Sequence, residues 1–194
     1  MRRLLLRPSL LEFCRAHLLL TALGDVAALV IGVLSALTGT GKGILESLPA
    51  QGAGPSGSGL LITAAMALCL LAYLPAGRLS RQKGGWPRPD VADAVVLLLL
   101  PALAFWLLLA IPMALLHNVG FQIAAILLNA PAYGLFVFLA GLLDLQGALW
   151  GWLGYVGAMA AGLLPPLLFL TGSYLPIRDL DGAEESIEEY IEKQ

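Results

Sequence analysis

The chain has 194 residues, of which 59% are hydrophobic and 12% charged, against about 25% charged in soluble domains. That composition excludes an ordinary soluble enzyme and leaves room for one membrane domain with little beside it. The net charge of −2 is a sum of opposite local biases and points to no partner, so nucleic acid is not expected, and Cys14 and Cys69 form neither a Cys-x-x-Cys pair nor a metal-ligand spacing.

In chain order, residues 1–17 form a basic segment carrying Arg2, Arg3, Arg7 and Arg15. The apolar run that follows, Leu18–Leu37, is longer than the roughly 7–15 residues of a signal-peptide core, so it reads as a retained helix. A helix needs about 20 apolar residues to cross a bilayer. Five runs meet that need: 18–37, 60–76, 91–116, 121–143 and 148–171. The fold class is therefore all-α, a polytopic bundle of five transmembrane helices over residues 18–171, followed by an acidic tail over 172–194. Gln51–Gly59 reads as a Gly/Ser-rich connector. His117-Asn118-Val119-Gly120 leaves only a tight hairpin between the third and fourth runs. Pro165-Pro166 is expected to kink or stop the fifth.

Eight of the 11 basic residues precede the first run or lie between the second and third. The positive-inside rule makes both places cytoplasmic, so the chain belongs in a bacterial-type cytoplasmic membrane with its N-terminus inside. Five crossings would put the C-terminus outside, and would set Trp150 and Trp152 at the cytoplasmic headgroups.

Asp25 is the one formal charge deep within an apolar run, where an ionisable group is costly and calls for a partner or a task. On the fourth run Gln122, Asn129 and Tyr133 fall in one helical stripe. Rise along the helices brings Tyr133 and Tyr155 toward the level of Asp25. The expected intramembrane polar cluster is thus Asp25, Asn129, Tyr133 and Tyr155. Small residues let helices approach closely in lipid. Gly24, Ala28 and Gly32 on the first run, and Gly154, Ala158 and Gly162 on the fifth, are expected to pack together.

Chemical motifs do not complete themselves. Thr38–Gly43 has Ala36 where a phosphate loop needs its first glycine and lacks the hydroxyl after Lys42. Gly54-Pro55-Ser56-Gly57 has the GxSG form of rhomboid proteases but lies in the linker. His17 and His117 belong to opposite faces, which rules out paired haem ligation within the chain. No metal, cofactor or catalytic residue is expected. Five spans, a basic loop and Gly84-Gly85 before the third span resemble the architecture of bacterial Yip1-type membrane proteins, which implies a scaffold or anchor for partner proteins. A buried acid in a helix bundle points the other way, to a non-enzymatic membrane subunit or small transporter-like protein. The expected partners are the bilayer and a second copy or another membrane subunit, with an intramembrane enzyme third in order.

Overall fold

The computed structural model describes residues 8–38, 57–84, 88–116, 124, 127–142 and 152–176. These form α1 (Pro8–Leu37), α2 (Gly57–Leu71), α3 (Tyr73–Gly84), α4 (Val91–Phe105), a π-helical turn (Trp106–Ala110), α5 (Ile111–Leu116), α6 (Ala130–Leu142) and α7 (Trp152–Tyr174). The described residues contain no strand. Three stretches are long and apolar enough to cross a membrane: Pro8–Leu37, Gly59–Gly84 and Val91–Leu108. The 117–120 hairpin, most of the 51–59 connector and the acidic tail from residue 177 lie outside the described residues.

The first helix starts ten residues before the expected span. Pro8 suits a first helical position because its missing N–H would have no partner there. The added turns bury Leu10 and Phe13 while Glu12 and Arg15 form an ion pair outside. At 30 residues and about 1.5 Å per residue, α1 is roughly 45 Å long.

The second span is also longer than its apolar run. Pro75 has no N–H to give the Leu71 carbonyl, and a turn residue, Ala72, separates α2 from α3. The ladder resumes with Ala76 N–H donating to Ala72 O at 3.1 Å. No breaker follows until the Gly84-Gly85 pair, so Arg78, Arg81 and Lys83 ride on α3 and are not in a loop. Arg81 and Lys83 occupy its last turn, where cations complement the helix dipole.

The third span begins with a capping box: the Asp93 N–H donates to Asp90 Oδ1 at 2.7 Å and the Asp90 N–H to Asp93 Oδ2 at 3.4 Å. The π turn ends just before Pro112, a residue that cannot complete an α-helical ladder.

Pro165-Pro166 does not stop α7, and the helix runs on to Tyr174. Both prolines are buried, with Phe169 beside them in the core; packing on both sides holds the turn where backbone bonds are missing. Two contacts set the direction of α7 relative to its neighbours. Arg81 Nη1 donates to Ser173 O at 2.9 Å, and Tyr174 Oη donates to Pro89 O at 2.7 Å. The end of α7 therefore lies beside the end of α3 and the start of α4. Pro8 and Glu12 of α1 share a groove with Ser80 and Lys83 at that same end. The C-terminal end of α7 is thus on the basic side of the bundle, and Trp152 starts the helix at the far end. Five alternating crossings, as expected from the sequence, would put this end on the opposite side from the basic end of α3.

Phe13, Tyr73, Leu97, Ala132 and Phe169 form the shared core of α1, α3, α4, α6 and α7. Helices α3 and α7 approach at backbone distance. A Cβ on Gly77 would collide with the Phe169 carbonyl, and one on Gly172 with that of Leu74.

Candidate functional site: an apolar groove around Asp25

Tyr73, the first residue of α3, lies fully inside the core and meets α1. There the His17 Nδ1 and the Tyr73 hydroxyl are 2.8 Å apart, while His17 Nε2 is 3.0 Å from the Leu128 carbonyl. A carbonyl only accepts, so Nε2 carries the proton and Nδ1 of the neutral imidazole accepts from Tyr73. The ring also stacks on Phe13, with centroids 5.5 Å apart and planes at 23°. His17 thus joins α1, α3 and the chain entering α6, and both its nitrogens are occupied. Thr21 is buried next to the Tyr73 phenol, but its Oγ1 stays outside good hydrogen-bond geometry.

Along α1 the residues Cys14, His17, Thr21 and Asp25 follow one another at three- or four-residue intervals and so share a face. That face forms one wall of a groove of about 550 Å³. Leu100, Pro101, Ala104 and Leu108 form the opposite wall, and Leu127 and Leu128 border it. Asp25 is half-buried and, among the described residues lining the groove, is the only formally charged one. No hydrogen bond or ion pair joins its carboxylate to another described residue.

The other residues singled out from the sequence are placed as follows. Asn129 is buried at the turn before α6, and its Oδ1 has no hydrogen-bond partner among the described residues. Tyr133 is half-buried and meets Phe136 edge to face at 6.1 Å. The Tyr155 and Gln122 side chains lie outside the described residues. Gly24 is buried, and its nearest neighbours come from α2 and α6: a Cβ there would be 3.2 Å from Met66 Sδ and 3.4 Å from Pro131 Cγ. Gly32 is buried and Ala28 half-buried on the same helix. Gly162 is half-buried on α7, while Gly154 and the Ala158 side chain lie outside the residues whose side chains are described. Helices α1 and α7 meet through the Phe13 and Phe169 rings, 5.5 Å apart and near perpendicular.

His17 is the residue that reading the sequence undervalued. The signal was present in its spacing to Asp25, two helical steps of four residues through Thr21. Among the described residues no group of three or more His, Cys, Asp or Glu side chains is placed to hold a metal ion. Set against known proteins, the chain matches no family model, no curated protein and no solved structure.

Proposed function

We propose that this is an integral membrane protein acting as a small transporter-like unit or membrane subunit, with Asp25 as the working group of its bundle. The observation that carries the reading is the position of the Asp25 side chain. It lines a groove of the bundle and is only half-buried. A charge at membrane depth costs about 2.5–3.5 kcal/mol on insertion scales, and a structural latch would have secured a partner for it. In this reading the five apolar runs all belong to the bundle, with an even number of net crossings and both the basic segments and the tail on the cytoplasmic side. The basic residues of α1 and α3 support that orientation.

A scaffold built on the small-residue faces is the competing reading, supported by the backbone contact of α3 with α7. Accessibility separates the two. In a Cys14→Ser, Cys69→Ala background, Ala22→Cys on the groove wall should react with a water-soluble methanethiosulfonate in membrane vesicles. Val26→Cys, on the exposed apolar surface of α1, should stay unreactive in lipid. An unreactive Ala22→Cys would mean a dry groove and would favour the scaffold.

A further inference from the structure

We propose that the groove between α1 and α4 binds a lipophilic monocation, an organic ammonium or phosphonium with apolar substituents, with Asp25 as its counter-ion. This rests on the reading of the groove as open to solutes and goes beyond it by naming the class of ligand. Three observations converge. The groove volume of about 550 Å³ lies within the roughly 300–1,000 Å³ typical of small-molecule sites. Its walls are apolar apart from a few side chains on α1, so a ligand has to present mostly hydrocarbon surface.

The charge balance is the deciding feature. Among the described residues, no lysine or arginine lines the groove. His17, the basic group closest in sequence, has Nε2 donating to Leu128 O and Nδ1 2.8 Å from the Tyr73 hydroxyl, so both its nitrogens are engaged away from the Asp25 carboxylate. Among the described residues no fixed cation faces the Asp25 carboxylate, so a cation that enters the groove can serve as its counter-ion. A neutral apolar solute would leave that charge uncompensated, and an anion would add to it. A compact, strongly hydrated cation would lose its water against walls that cannot replace it. A lipophilic cation satisfies both wall and carboxylate. Pro101 and Ala104 are the smaller side chains of the α4 wall, which leaves width for a branched or aromatic head.

The test uses the full chain purified in detergent, with tetraphenylphosphonium as the probe and triphenylphosphine oxide as its neutral counterpart, followed by calorimetry. The wild-type protein should bind the cation, and Asp25→Asn should bind it about tenfold or more weakly, the loss expected when one charge pair in a partly desolvated site is removed. Asp25→Glu should restore most of the affinity. Ala104→Trp, which fills the groove from α4, should weaken the cation irrespective of charge. Circular dichroism confirms that each variant retains its helices. Equal binding by wild type and Asp25→Asn, or equal binding of the neutral probe, would overturn the assignment. So would a wild-type protein that binds no cation while Ala22→Cys is reactive, an outcome that leaves the open groove standing and removes only its ligand.

Discussion

Arg81 Nη1 donates to the carbonyl oxygen of Ser173 at 2.9 Å, across 92 residues of sequence. One guanidinium thereby closes the last turn of α7 against the last turns of α3, and a second, longer bond reaches Leu175 O at 3.4 Å. The end of a helix leaves four carbonyls without intrahelical donors, and a cation placed there also complements the helix dipole. This contact decides on which side of the bundle the chain leaves its final helix.

The topological prediction follows from that contact. With both native cysteines replaced, Ser80→Cys and a reporter fused after Gln194 should be found on the same side of the membrane. Protease protection of the fusion, compared with impermeant maleimide labelling at Ser80→Cys, gives the answer. Opposite sides would refute the placement of α7.

Arg81→Met keeps much of the aliphatic stem and removes the donors. It should lower stability by about 1–2 kcal/mol, the usual worth of a charge-assisted bond to a carbonyl that then goes unpaired. Thermal unfolding in detergent measures it. A variant as stable as wild type would show that water replaces the guanidinium without loss.

Glycine substitutions should sort by what the new methyl meets. At Gly77 and Gly172 the obstacle is backbone, the carbonyls of Phe169 and Leu74, so Ala at either position has to push α3 and α7 apart and should cost about 1–3 kcal/mol or more. At Gly24 the nearest atom is the Met66 sulfur at 3.2 Å, the end of a flexible side chain. Gly24→Ala should therefore cost under about 1 kcal/mol. Chemical denaturation of the three variants side by side checks the order, and a Gly24 variant as damaged as the Gly77 variant would contradict it.

The His17–Tyr73 pair is open to a double-mutant cycle. Tyr73→Phe removes the proton that His17 Nδ1 accepts while keeping the buried ring. The cost should be about 1 kcal/mol, in the range found for interhelical bonds in membranes. His17→Ala should cost more, because the Leu128 carbonyl and the Phe13 stack lose their partner as well. Additive single-site effects would mean that the 2.8 Å contact contributes no coupling of its own.

Asp25→Asn should leave stability unchanged or raise it by up to about 2 kcal/mol, since it removes a desolvated charge to which no described residue donates a hydrogen bond. Groups kept for function often show this sign. Marked destabilisation, measured by melting at fixed pH, would instead identify Asp25 as a structural acceptor.

Much of this protein is determined by its sequence alone. Runs of leucine, valine and alanine with few charges lead to apolar helices by composition, since the backbone groups of such segments have to pair within the segment wherever water is excluded. Asp25 stands out for the same reason, as a costly charge in an apolar run. The helix boundaries were less legible. Pro8 to His17 and Arg78 to Gly84 are polar enough to read as flanks, yet helix formation depends on backbone pairing and the lack of a breaker, and hydropathy does not report either. Tertiary structure alone decided what Asp25 faces, which way α7 runs and what His17 does. Each depends on groups distant in sequence: the Leu128 carbonyl for His17, Arg81 for Ser173, and the wall from Leu100 to Leu108 for Asp25. Periodicity gives the face of a helix on which a residue lies, but the partner of that face is set by packing of backbones and side chains among all the helices at once.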